Sequence, residues 1–368
     1  MTIKAIDKAV RSEMNSFELQ DVTSGIKRKE SVKTGLLQAL LTGTSNEFSV
    51  TTDKLSYDEL VETVQLPEGK RFDEVGGGRV KKDNAREMLY RTGSYGISAN
   101  VSPMDVAGKR KPFSEEMYTT EERVQEMSTK MDRSWNDSAE IALAKVLTTD
   151  TNFVFGGDAK SYDYFADIHG DTRANLGYDA VDLLVGSGAD VEKKLNDAVD
   201  KMQEECALAG TSYTSLVMPV SGDLYDKLFD YEQTRATAVA GIDSSTTLDL
   251  SILAGDRGGF SADEMVFKRR NFTSVLTGIT YIRMADSIGG TSLLGTNAGF
   301  LIPAGADNMF ATIYSPSMTM DYVNTSGMKR YSFAEEHKRR GITLFEESNN
   351  LYMNRNPKLI QKFFSSSN

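Results

Sequence analysis

The feature that most restricts how this chain can fold is one uninterrupted helical pattern. Val124, Met127, Met131, Trp135, Ala139, Ala142 and Val146 recur at spacings of three and four, placing them along one face of a helix. Thr119 and Glu122 stand at capping-box spacing, and Glu115, Glu116, Glu121 and Glu122 put negative charge where the helix dipole is positive. Thr148-Thr149-Asp150 closes the pattern. About 30 residues at 1.5 Å per residue make a rod of roughly 45 Å, and no coiled-coil partner is evident for it.

The segments before the rod read as extended. Residues 1–46 are polar, with a short amphipathic helix expected at Ile3–Met14 and a basic cluster at Lys27-Arg28-Lys29; they form either an extended arm or a terminus that orders only when tied down. From Phe48 the period changes to two. Phe48 and Val50 alternate with Ser49 and Thr51, and Leu60, Val64 and Leu66 oppose Glu59, Val61 and Gln65. This run enters a tip rich in glycine and charge, Gly76-Gly77-Gly78-Arg79 with Lys81 and Lys82, and a return strand is expected around Tyr95, Ile97, Ala99 and Val101. A projecting two-stranded ribbon of this kind has too little core to be stable by itself, so it needs another surface, such as a neighbouring subunit.

Beyond the rod, a loop over 156–179 precedes a helix at Asp190–Leu208, a strand at Ser215–Val220 and a helix at Gly222–Tyr231. A stretch rich in Thr, Ala, Ser and Gly covers 232–262. Strands are then expected at Met265–Phe267, Val275–Arg283, Phe300–Ile302, Ala311–Met320 and Gly341–Phe364, with a basic interruption at Lys329–Arg340. The class is α+β. No internal repeat is present.

Arm, ribbon, long helix, mixed α/β section and closing strands follow one another in the order of the Hong Kong 97 capsid fold. Four stretches carry a closer resemblance: Tyr95-Gly-Ile-Ser-Ala-Asn-Val-Ser-Pro103-Met-Asp-Val, Val217-Met-Pro-Val-Ser-Gly-Asp-Leu-Tyr-Asp-Lys-Leu, Gly299-Phe-Leu-Ile-Pro303-Ala-Gly with Tyr314-Ser-Pro316, and Glu347-Ser-Asn-Asn-Leu351-Tyr-Met-Asn-Arg-Asn-Pro357-Lys-Leu-Ile360. In this order they resemble the phage lambda major capsid protein family (major capsid protein E), from about Phe48 to Ile360, with the first 46 residues outside the match. The resemblance implies an arm (1–46), an extended ribbon or E-loop (47–112), a peripheral domain on the spine helix (113–178), an axial domain (179–299) and a return to peripheral strands (300–368). It also implies pentamers and hexamers of one chain in an icosahedral shell around double-stranded DNA, assembled in the host cytoplasm with a portal and, in many relatives, scaffolding and decoration proteins.

The remaining composition fits a container and disfavours catalysis. A net charge of −11 opposes a duplex-coating role, which gains affinity by replacing counterions with Lys and Arg, whereas the inner wall of a DNA container should not grip its contents. Cys206 is the only cysteine, which suits a reducing cytosol and leaves stability to packing and association. No run of about 18 apolar residues is present to span a bilayer, and the first residues hold no continuous hydrophobic segment of secretory type.

Asp167-Ile-His169-Gly-Asp171 and Gly255-Asp-Arg-Gly258 echo metal motifs of calcineurin-like phosphatases. A two-metal site of that kind needs several imidazoles, and the chain has only His169 and His337; the first reads as an ordinary loop residue. One Cys and two His cannot supply a typical structural zinc site either. Gly290-Thr-Ser-Leu-Leu-Gly295-Thr296 has phosphate-loop glycines but Thr296 in place of the lysine, and reads as a flexible surface loop. No Gly-x-Ser-x-Gly elbow accompanies the histidines. We therefore expect no catalytic residue, no bound cofactor and no metal site. An encapsulin-like nanocompartment shell is the alternative container. Met117, Met127 and Met131 are expected to fill core gaps, and Trp135 to anchor the subunit core.

Overall fold

The computed structural model of the chain describes residues 20–21, 37, 45–61, 84–110, 116–152, 161–183, 190–240, 271–274, 277–306, 309–337 and 341–366. The rod is present as expected: spine helix α2 runs Thr120–Thr149, preceded by the short helix α1, Pro103–Val106. Thr119 accepts from the Glu122 backbone N–H at 3.2 Å, and the Glu122 carboxylate accepts from the Thr119 N–H at 3.1 Å. Asp150 closes the helix in the left-handed region at φ 56°, a conformation that Asp tolerates better than most side chains. Met131, Ala142, Leu143, Ala144, Val146 and Leu147 are buried along it.

The spine packs against a six-stranded sheet whose centre is β15, Ile342–Asn354. One side of β15 pairs with β5, Gly93–Val101, from Ile342↔Val101 to Asn350↔Gly93. The other side pairs with two strands in line: β14, Tyr331–Glu336, against 342–347, and β13, Phe310–Tyr314, against 350–354. β2, Ser45–Ser49, adds in parallel to β13, and β1, Gln20–Asp21, adds antiparallel to β14.

The second six-stranded sheet runs β6 (Val181–Asp182), β16 (Gln361–Phe364), β12 (Ala298–Ala304), β7 (Ser215–Val220), β9 (Ile279–Arg283) and β8 (Asn271–Thr273). Strand β7 is central, and all but its first residue are buried, as expected for an apolar run covered on both faces. Pro219 has no N–H to offer, and the β7–β12 ladder, bridged at Val220↔Gly299 and Val217↔Ile302, skips the two positions between them. Helices α4 (Asp190–Leu208) and α5 (Gly222–Ala240) accompany this sheet, while α3 (Tyr164–His169) follows the spine. One buried cluster joins Leu143 and Leu147 of the spine to Met218 and Phe300 of the second sheet and Leu351 of the first.

Several expectations are corrected. The ribbon's return strand is β4, Asn84–Arg91, pairing with β3, Lys54–Val61; Tyr95–Val101 instead belongs to the large sheet as β5. The basic stretch from Lys329 does not interrupt the strands, because Tyr331–Glu336 is itself a ladder partner of β15. The closing strands divide between the sheets, with β12 and β16 in the second. Helix α5 continues to Ala240, beyond the expected end at Tyr231. The region 290–296 is not a free loop: a hairpin of β10 (Ser287–Ile288) and β11 (Thr291–Ser292) tucks Leu293 and Leu294 into the core. Ile3–Met14, Met265–Phe267, the ribbon tip and Gly255–Gly258 lie outside the described residues.

Candidate functional site

The ribbon strands pair from Lys54↔Arg91 to Val61↔Asn84, and among the described residues they form ladders only with each other. Their root is embedded. Tyr90 is buried, with its ring edge-on to Tyr162 at 5.0 Å and to Tyr164 at 5.8 Å. The Tyr162 hydroxyl accepts the Arg91 N–H at 2.9 Å, and the Tyr164 hydroxyl donates to the Tyr352 carbonyl at 2.7 Å. Burial holds the Tyr164 hydroxyl protonated well above the usual range. Thr92 and Ser315 hydroxyls meet at 2.7 Å, so the root is fastened to the large sheet while the strands lead away.

The spine is tied down by polar contacts that an apolar stripe does not reveal. Buried Asp132 pairs with Arg330, whose guanidinium also reaches Asn136 at 3.2 Å. Half-buried Trp135 donates its indole N–H to Glu346 at 2.9 Å, so it anchors the helix through a hydrogen bond rather than from deep in the core. Buried Glu140 accepts the backbone N–H of Leu37 at 2.7 Å, and the Leu37 side chain is wholly buried. The N-terminal segment thus reaches the spine at Leu37 and the sheet edge at β1. Of the three methionines, Met131 is buried, Met127 is partly buried, and Met117 is 54% exposed, contrary to the core role expected for it.

At the other end of the spine, Asp150 lies between two cations. Arg173 reaches its two oxygens at 2.5 and 2.9 Å and Lys362 reaches it at 2.5 Å. Arg173 also donates to the carbonyls of Ile360 and Pro357, and Lys362 to that of Thr148. Burial lowers the Lys362 ammonium to about 8 despite the neighbouring Asp150. The knot joins spine, loop and last strand.

The enzyme-like residues do not converge. His169 is the last residue of α3, not a loop residue, with its ring edge-on to Phe165 at 5.0 Å and its Nε2 buried without a hydrogen-bond partner. Burial first, then the nearby Lys358 and Arg173 charges, lower its pKa to about 4. His337 follows β14, on a different element, and meets the Thr343 hydroxyl at 2.9 Å. Among the described residues no three His, Cys, Asp or Glu side chains are grouped to hold a metal ion, and no helix is long and apolar enough to cross a membrane.

An embedded ribbon root, a 30-residue spine laid on one sheet and a second sheet continuing from it define a phage capsid fold. The chain is similar across nearly its whole length to solved phage capsid structures. It is 12% identical to a protein described as the capsid protein of a prophage in E. coli CFT073, at a TM-score of 0.54, covering 95% of this chain and 100% of that one. For the mature capsid of bacteriophage PhiM1 the identity is 12% and the TM-score 0.51, over 97% of this chain and 93% of that one. For the capsid of the cyanophage P-SCSP1u they are 10% and 0.50, over 98% and 94%. A search of curated protein sequences finds no match. The chain belongs to the phage major capsid protein E family, matched over residues 18–365. The match begins well inside the segment expected to lie outside it, in keeping with the contacts made by β1 and Leu37. Family membership selects the phage capsid over the nanocompartment: this is a shell protein of a tailed phage, from a family of structural proteins.

Proposed function

We propose that copies of this chain form the pentamers and hexamers of an icosahedral shell enclosing double-stranded DNA, assembled in the host cytoplasm. The observation that carries this reading is the ribbon, fastened at its root to its own subunit while β3 and β4 find no third strand among the described residues. A two-stranded ribbon gains stability by lying on another surface, and in a shell the surface at hand is a neighbouring copy. In this reading the spine and first sheet form the peripheral domain, and the second sheet with α4 and α5 the axial domain. The ribbon of one copy lies over its neighbour's spine, and the positive charge that the sequence carries at Arg79, Lys81 and Lys82, outside the described residues, complements the acidic first turn. A portal, with scaffolding and decoration proteins, completes the particle, and the subunit performs no catalysis.

Electron microscopy of the full chain, expressed alone and together with portal and scaffolding proteins, tests the proposal. Closed shells of uniform diameter with five-fold and six-fold clusters are expected. A monodisperse monomer under every condition would overturn it.

A further inference from the structure

The strands β13 and β14 lie in line along the same side of β15, one pairing up to Tyr314↔Asn350 and the other resuming at Tyr331↔Glu347. Between them the chain leaves the sheet as an excursion over 315–330 and returns to continue the same edge. This excursion is built from inside. The β15 residues that face the gap use side chains where the ladder stops: Glu347 accepts the Ser317 hydroxyl at 2.9 Å and the Met318 N–H at 3.3 Å, Asn349 donates to the Pro316 carbonyl at 2.7 Å, and Ser348 to the Lys329 carbonyl at 2.8 Å. Gly327 donates its N–H to Val50 at 2.9 Å and lies so close to the Tyr314 carbonyl that an added Cβ would stand 2.1 Å from its oxygen, so only glycine fits. The Tyr322 and Tyr331 rings pack edge to face at 4.6 Å, and Thr325 donates to the Tyr322 carbonyl at 2.8 Å.

On this bonded frame the chain holds apolar side chains out: Met320 is 91% exposed, Met318 74% and Val323 53%. Isolated exposed apolar residues are ordinary, but these three, together with Met328 at 36%, on one short pre-formed segment make a patch. The patch is also poor in charge. Of the sixteen residues 315–330 only Asp321, Lys329 and Arg330 are charged, and the Arg330 guanidinium is buried against Asp132, in a chain where 26% of residues are charged.

We propose that the excursion is a docking patch for a second copy of this chain, meeting the same excursion there through Met318, Met320 and Val323. The inference rests on the shell reading and adds a named contact to it. Copies that each carry −11 repel, so surfaces that bring them together must be oppositely charged or nearly neutral, and this one is nearly neutral. A patch of one composition meeting itself needs no second complementary surface. Two unbranched thioethers repack at little cost, which suits a contact made at more than one angle in a closed shell. The bonded base limits the ordering cost on association.

The test uses the full chain under conditions in which the wild type assembles. Met320→Asp is expected to lower particle yield at least tenfold, with circular dichroism and Trp135 fluorescence of the subunit unchanged. In a Cys206→Ser background, Met320→Cys is expected to be joined into dimers by a short bis-maleimide in particles and not in free subunits. Assembly of Met320→Asp at wild-type yield, or Met320→Cys particles that give no linked dimers, overturns the docking patch and leaves the shell reading intact. A wild type that forms no particle under any condition overturns both.

Discussion

Asp150 shows how much can rest on one side chain. It ends the spine in a left-handed conformation and pairs with both buried Arg173 and buried Lys362. Asp150→Asn keeps a residue that tolerates that backbone but takes from two buried cations the counter-charge to which both are hydrogen-bonded. We expect a loss of about 3–5 kcal/mol in chemical denaturation of the unassembled subunit; a loss below about 1 kcal/mol would show that the knot contributes little. His169 sets a pH dependence. Its pKa of about 4 in the folded chain lies below the unfolded value near 6.5, so the unfolded chain binds the extra proton first. Its contribution is fully present above about pH 6.5 and is lost as pH falls toward 4. Denaturation midpoints across that window should fall less steeply for His169→Phe than for the wild type. The sequence displayed both residues but not their surroundings: Asp150 could be read as a helix end because capping is local, whereas Arg173 and Lys362 reach it from 23 and 212 positions away.

At the scale of elements, the spine can be tested at its cap. Thr119→Ala removes an exposed hydroxyl that accepts the Glu122 N–H, and should cost about 1 kcal/mol. Faster amide exchange confined to the first turn is the expected signature; an unchanged exchange pattern would remove the cap's role. The spine, α4 and β7 were legible because periodicity and caps involve neighbours a few residues apart. The ribbon's return was not. β4 and β5 are consecutive extended segments, and alternation reports that a strand exists without saying which strand it joins. The buried carboxylates Asp132, Glu140, Glu346 and Glu347 were hidden for a related reason: charge reads as surface until a partner such as Arg330, Trp135 or the Leu37 N–H is brought alongside by the fold.

At the scale of the whole molecule, assembly is expected to depend on the ribbon's positive charges. Reversing Lys81 and Lys82 to Glu should depress particle yield most at low salt and progressively less as salt screens the contact. Normal assembly of that variant at low salt would remove the proposed pairing with the neighbouring spine. By itself the sequence determined the class of the fold, the extent of the rod and the poverty of imidazoles that disfavours a metalloenzyme, because each depends on local pattern or plain composition. Only the tertiary structure decided that β13 and β14 share one side of β15, that the excursion between them is pegged by Glu347, Ser348 and Asn349, and that its methionines face outward. Those outcomes depend on pairings between residues far apart in the chain, chosen by the packing of the whole and written in no single stretch of it.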